Sequence, residues 1–150
     1  MNSDWVDFLR EMNAAGVRYL LVGAHAVGVH GVPRATRDID VWVEPSAANA
    51  ALVVRALARF GAPLAELGVG LSDFESHERV VKIGVPPNRI DLMTSVSGVP
   101  DFAGAWTRRK SVTFAGTAVD VIGREDLLQN KQSSGRDKDL LDVRELRKLG

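Results

Sequence analysis

Val17-Arg18-Tyr19-Leu20-Leu21-Val22 is a near-continuous apolar run of strand length, broken by Gly23. A strand that is apolar at successive positions has no solvated side, so it belongs inside a sheet whose two faces are both covered. The flanking segments read as that cover. Trp5, Phe8, Leu9 and Met12 fall at i, i+3, i+4 and i+7, the spacing of an amphipathic helix that Asn2 or Ser3 can cap and Gly16 can end. Ala24 to His30 reads as a short helix of small residues, stopped by Gly31 and the turn at Pro33.

Further strands and helices alternate along the chain. A second strand is predicted at Ile39 to Val43. A helix follows from Ser46 to Phe60, with Leu52, Val53, Ala56, Leu57 and Phe60 on one face and Gly61-Ala62-Pro63 as its stop. From Leu64 to Glu78 the signals conflict, and a surface loop with one helical turn is the reading. Arg79–Val85 and Arg89–Met93 look like strands of a hairpin closed at Pro86-Pro87-Asn88. A helix is expected over Phe102–Arg109, then a second hairpin, Lys110–Phe114 and Thr117–Ile122, around Ala115-Gly116. Two helices close the chain, Arg124 to about Gln132 and Asp137 to Leu149, parted at Ser133-Ser134-Gly135. With no repeat, low-complexity tract or linker, residues 1–150 read as a single α/β domain, a mixed sheet flanked by helices.

Composition narrows the function. Nineteen Lys and Arg balance nineteen Asp and Glu, so no general cationic grip on duplex nucleic acid is indicated. The absence of cysteine excludes disulfides, thiol chemistry and Cys-ligated zinc. The N-terminus MNSDWVDFLREM has no apolar h-region, and no apolar run approaches the roughly 20 residues of a membrane span. A cytoplasmic protein with no membrane partner is the expectation.

Three carboxylates stand in strand-like contexts, where an acid is costly. Asp38 and Asp40 bracket Ile39 at the start of the second strand. Side chains at i and i+2 share a face, so both acids point one way while Ile39, Val41 and Val43 point into the core. Asp91 repeats the pattern in Arg89-Ile90-Asp91-Leu92-Met93. If the two strands are neighbours, three acids converge, and they repel one another unless a cation joins them. Hard oxygen ligands of this kind suit Mg²⁺, which binds alongside substrate phosphates. The turn Val22-Gly23-Ala24-His25-Ala26 supplies a complement: glycine lets a phosphate approach the backbone, and the following helix presents unpaired N–H groups. Phosphates held beside clustered carboxylates are the requirement of metal-assisted phosphoryl or nucleotidyl transfer.

The run YLLVGAHAVGVHGVPRATRDIDVWVEP resembles the signature of the nucleotidyltransferase superfamily: Gly-Gly or Gly-Ser, about nine to thirteen residues, then Asp-x-Asp or Asp-x-Glu. Within it the chain is most similar to the AbiEii-like branch, through the segment Arg34-Ala35-Thr36-Arg37 and a C-terminal motif resembling LLQNKQSSGRDKDLLDVREL. The likeness runs from Val17 to Leu146 and is vague between residues 60 and 80. It implies a polymerase-beta-like fold that uses Mg²⁺ or Mn²⁺ and takes a nucleoside triphosphate, ATP included, as substrate. By matched position, Asp38, Asp40 and Asp91 would be the catalytic and metal-holding residues, with Asp91 also assisting deprotonation of the acceptor hydroxyl. Gly23 and Ala24 would set backbone donors against the triphosphate, and Arg34, Thr36 and Lys131 would contact nucleotide or phosphate. The acceptor implied is a protein side chain, the 3′ end of a tRNA, or a small molecule such as an antibiotic. The AbiEii likeness implies a toxin–antitoxin or phage-defence setting, with a homodimer or a cognate protein as partner. Two departures matter: Ala24 stands where the family has Ser or a second Gly, and only the helices from about residue 124 are available in place of a larger appended domain.

Blander readings accompany these. Asp38 and Asp40 could form a solvated strand start capped by Arg34 or Arg37, and Asp91 could pair with Arg89 or Arg79. Lys131, Arg136 and Lys138 could form a solvated face pairing with Asp137, Asp139 and Asp142. Thr36 could order its loop, and His25 could pack on a strand. The rival function is a catalytically degenerate module of the same fold that binds nucleotide or a partner; a phosphohydrolase using the same metals is a third.

Overall fold

A computed structural model describes all 150 residues. Fourteen elements follow in chain order: α1 (Ser3–Ala15), β1 (Tyr19–Val22), α2 (Gly23–Val29), β2 (Asp38–Val43), α3 (Ala47–Phe60), α4 (Leu64–Leu67), α5 (Ser72–Glu75), β3 (Val80–Ile83), β4 (Arg89–Met93), α6 (Phe102–Thr107), β5 (Lys110–Phe114), β6 (Thr117–Val121), α7 (Arg124–Ser134) and α8 (Asp137–Lys148). The conflicting stretch after Pro63 resolves into two single-turn helices, α4 and α5, of which Phe74 alone is buried.

The helix starts follow capping chemistry. Asn2 Oδ1 accepts the Trp5 N–H at 2.9 Å, and Ser46 Oγ accepts the Asn49 N–H at 3.1 Å, each satisfying a donor that has no partner within its helix. The strands form one six-stranded mixed sheet in the order β3-β4-β2-β1-β6-β5. β1 runs antiparallel to β2 and parallel to β6, β2 runs parallel to β4, and each hairpin is antiparallel.

β1 is central and buried at all four positions, as its unbroken apolar run requires. The sheet's two faces differ in kind. Tyr19, Leu21, Ile39, Val41 and Val43 share one face, and the Tyr19 hydroxyl meets Asn13 Oδ1 of α1 at 3.0 Å, which places α1 over that side. α1 packs against α3 through an edge-to-face contact of Phe8 and Phe60 at 5.8 Å. The core is a cluster of 34 buried apolar residues in which Phe8, Leu9, Leu20 and Ile39 have no exposure. The opposite face carries Asp38, Asp40 and Trp42. α6 lies over its Trp42 end, where Phe102 meets the indole edge-on at 5.1 Å. The Asp38 end is left open to a cleft. No helix is long and apolar enough to cross a membrane.

Candidate active site

Register brings the acids together. Val22 pairs with Asp40, Asp40 with Asp91, and Asp91 with Lys82, so four strands contribute one row of side chains to a single face. Asp38 stands one step along, beside Arg89. One carboxylate oxygen from each of Asp38, Asp40 and Asp91 lies within 4.8 Å of the others. Asp91 is 6% exposed; Asp38 and Asp40 are half-buried.

Their charges are compensated unevenly. Arg89 Nη2 donates to Asp38 Oδ2 at 2.6 Å and to Asp91 Oδ2 at 3.2 Å. Its Nε lies 3.0 Å from Asp91 Oδ1, but in an orientation that makes no hydrogen bond, so this contact is Coulombic and Oδ1 stays buried without a donor. Burial weakens the hold of Arg89 on its proton; the charges of Asp91 and Asp38 outweigh that and strengthen it. Lys82 Nζ is 4.0 Å from Asp91 Oδ2 and largely exposed, a weak pairing. Asp40 has no cation at contact distance. Burial first, then the charges of Asp38 and Asp91, push its carboxyl up to about 7, with Lys131 opposing from across the cleft. Three converging acids, one buried oxygen without a hydrogen bond and one carboxylate short of counter-charge fit a divalent cation bound through hard oxygen ligands.

Gly23 belongs to this construction for a steric reason. Its φ is +67°, and a Cβ there would stand 2.3 Å from Asp40 Oδ2. Only glycine lets β1 turn into α2 against that carboxylate. The Thr36 hydroxyl lies 2.8 Å from the Asp38 carbonyl oxygen and 3.2 Å from Asp38 Oδ1, a local turn that orders the loop at the start of β2.

The opposite wall is built from α7, α8 and the loop before β2. Lys131 Nζ is 3.1 Å from Asp139 Oδ1 and 3.2 Å from Asp142 Oδ2. Arg136 Nε donates to Asp139 Oδ2 at 2.7 Å, and Arg34 Nε donates to Asp142 Oδ1 at 2.7 Å with its Nη2 on the same oxygen. Asp139 is fully buried and Lys131 is 7% exposed, so this is an interior network rather than the solvated face that helical spacing alone suggests. Burial would raise the Asp139 carboxyl, but hydrogen bonds from Arg136, Lys131 and Ser134 outweigh it and hold the group below the usual carboxylate range.

Between the walls lies a cleft of about 780 Å³, lined among others by Gly23, Ala24, Arg34, Thr36, Asp38, Asp40, Asp91 and Lys131. That volume is ample for a nucleotide-sized ligand. All eight residues singled out from the sequence therefore border one space, although Arg34 and Lys131 are held by aspartates and Thr36 by its own loop. Arg37 and Lys138 also line the cleft, and neither makes an ion pair. Sequence reasoning missed Lys82, which only sheet register places in the acids' row; it named Asp139 and Asp142 as partners of Lys131 but not their burial or the pairing of Asp142 with Arg34. Arg89 was legible as a partner of Asp91 but not as the bridge to Asp38.

His25 and the two arginines that precede β5 are structural. His25 packs edge-on against Trp5 at 5.0 Å, and burial lowers its pKa. Arg108 pairs with Asp126, while Arg109 lies 3.9 Å over the Trp106 ring, so both arginines before β5 are engaged within the fold.

No protein-family profile matches the chain, and no curated protein matches it. Solved structures do. A protein from Thermotoga maritima, provisionally assigned as a nucleotidyltransferase, is 14% identical, with TM-score 0.62 over 100% of this chain and 96% of that one. The lincosamide antibiotic adenylyltransferase LnuA, solved with lincomycin bound, is 16% identical, with TM-score 0.64 over 100% and 98%. An antigenic nucleotidyltransferase-like protein from Paracoccidioides brasiliensis is 20% identical, with TM-score 0.54 over 98% and 76%. The chain has the nucleotidyltransferase fold, as its resemblance to that superfamily's signature implied.

Proposed function

We propose that the cleft transfers a nucleoside monophosphate from a nucleoside triphosphate, ATP among the candidates, to an acceptor hydroxyl. The acceptor oxygen forms a bond to the α-phosphorus, the bond from that phosphorus to the β-phosphate oxygen breaks, and pyrophosphate leaves. The observation that carries the reading is the convergence of Asp38, Asp40 and Asp91 within 4.8 Å, with the Asp40 charge left uncompensated. Those three residues would hold Mg²⁺ or Mn²⁺, which supplies charge neutralisation to the triphosphate and to the leaving pyrophosphate. Asp91, its carboxylate beside those of Asp38 and Asp40, assists deprotonation of the acceptor hydroxyl. The backbone of Gly23 and Ala24 lies against the phosphates, and Arg34, Thr36 and Lys131 complete the nucleotide-binding lining.

In this reading all 150 residues form one nucleotidyltransferase domain, with α7 and α8 forming one wall of the cleft. A triphosphate donor places the protein in the cytoplasm. The AbiEii-like motifs assign it to a toxin–antitoxin or phage-defence setting, acting as a homodimer or with a cognate protein. The acceptor is a protein, a tRNA or a small molecule; the fold shared with LnuA supports the last. Ala24 favours one rival, a degenerate module that binds nucleotide without turnover.

Incubation with each of four α-labelled triphosphates, Mg²⁺ or Mn²⁺, and a mixture of RNA and protein tests the proposal. Label transfer with pyrophosphate release supports it, and the destination of the label names the acceptor class. Thermal stabilisation by nucleotide without turnover selects the binding module, and release of inorganic phosphate selects a phosphohydrolase.

A further inference from the structure

Arg89 occupies the place among the acids where a cation is required. It lies two residues before Asp91 on the same face of β4, and the parallel register with β2 sets it directly beside Asp38. One guanidinium therefore spans two strands. It donates from Nη2 to Asp38 Oδ2 at 2.6 Å and to Asp91 Oδ2 at 3.2 Å, with Nε facing Asp91 Oδ1 at 3.0 Å. Asp40, the third acid, is not touched by it. A planar fork suits such bridging, because its donors are fixed in geometry and reach two carboxylates at once.

Resting on the reading that Asp38, Asp40 and Asp91 hold a divalent ion, we infer that Arg89 is their tethered counter-cation and competes with that ion for Asp38 and Asp91. The physical reason is twofold. A carboxylate oxygen that coordinates a metal gives up lone-pair density that the guanidinium N–H uses. The metal's double charge also repels a guanidinium a few ångströms away, at a depth where the field is poorly screened. Without metal, the bridge keeps Asp38 and Asp91 from driving each other apart, so the acids stay assembled. With metal, the guanidinium leaves its bridge. Arg89 thus sets how tightly the site takes its ion, a role distinct from ligation.

Binding of Mn²⁺ alone, followed by the electron paramagnetic resonance of the free ion, tests this without reference to turnover. Arg89→Gln is expected to bind Mn²⁺ about tenfold more tightly than the wild type, the scale on which neighbours of metal ligands act. Arg89→Lys, whose compact ammonium cannot bridge both acids, is expected between the two. Asp40→Asn serves as the control for the site. If Mn²⁺ binds the wild type, is lost in Asp40→Asn, and is bound equally or less tightly by Arg89→Gln, the competition is overturned while the proposed metal site stands. If no variant and no wild type binds Mn²⁺ saturably, both fall. A second readout needs no variant. The Arg89 Nη ¹⁵N resonances, held distinct by the bridge in metal-free protein, are expected to merge as the guanidinium rotates freely on saturation with Mg²⁺. Resonances that stay distinct at saturating Mg²⁺ overturn the inference.

Discussion

The two walls of the cleft contain the same kinds of side chain in opposite states of balance. On the sheet, Asp38, Asp40 and Asp91 face one bridging arginine, and Asp40 is left with its carboxyl raised to about 7. Across the cleft, Asp139 and Asp142 meet Lys131, Arg34 and Arg136, and Asp139 is held below the usual range. A network in which every carboxylate meets a cation fixes two helices and a loop; one that leaves a carboxylate without a contacting cation leaves charge for a ligand to meet. Residue type alone does not separate these roles.

Replacing one acid on each wall breaks the comparison most sharply. Asp40→Asn is expected to lower nucleotidyl transfer by about 10³-fold or more while leaving the urea unfolding midpoint unchanged or raised, because a repelled charge is removed. Lys131→Met is expected to act the other way round, costing about 1.5–3 kcal/mol of stability, because Asp139 keeps Arg136 and Asp142 keeps Arg34 but both lose the buried cation they share, measured in the same urea titration. If Lys131→Met folds as stably as the wild type, the helical wall is not the paired interior network described.

Acidity sharpens the contrast, because the two walls respond with opposite sign. Between the ordinary carboxylate value of 3.8 and about 7, the folded protein binds more protons at Asp40 than the unfolded chain does, so this group lowers stability as pH rises through that window. With screening by solvent at a half-buried site, the effect is about 1–2 kcal/mol. Asp139 behaves conversely: its depressed folded pKa contributes stability above the ordinary carboxylate range that is lost as pH falls through the folded value. Relative to the wild type, Asp40→Asn should gain stability as pH rises toward about 7, whereas Asp139→Asn should be less stable at neutral pH and approach the wild type as pH falls below the carboxylate range. The smallest expected change is Gly23→Ala, which forces a left-handed backbone on alanine and sets a methyl against Asp40. A stability loss of about 1–2 kcal/mol, with weakened Mn²⁺ binding, checks it by calorimetry and metal titration.

Much of this was legible before folding. The apolar run at β1, a cap at Asn2 or Ser3, of which the structure uses Asn2, and the i, i+2 placement of Asp38 and Asp40 each follow from local pattern; Ser46, read as the first residue of its helix, is instead its cap. What local pattern does not encode is register between distant segments. Asp91 pairs with Asp40 across 51 positions, and Lys82 joins the row only because β3 pairs with β4 in one alignment. The same limit explains α8. Helical spacing makes Asp139 and Asp142 look like solvated partners of nearby lysines, whereas docking of α8 on α7 and the approach of Arg34 bury them. Gly23 was singled out for the approach of a phosphate; its φ and its contact with Asp40 Oδ2 add a reason that no sequence pattern shows.

Anomalous diffraction at the manganese edge, from crystals grown with Mn²⁺ and a non-hydrolysable triphosphate, tests the central claim most directly. The expected result is a peak at about 2.1–2.3 Å from carboxylate oxygens of Asp38 and Asp40, with Asp91 beside it and the phosphates toward Gly23. A triphosphate seated in the cleft with no manganese among the three acids, or manganese bound only elsewhere on the protein, would contradict it.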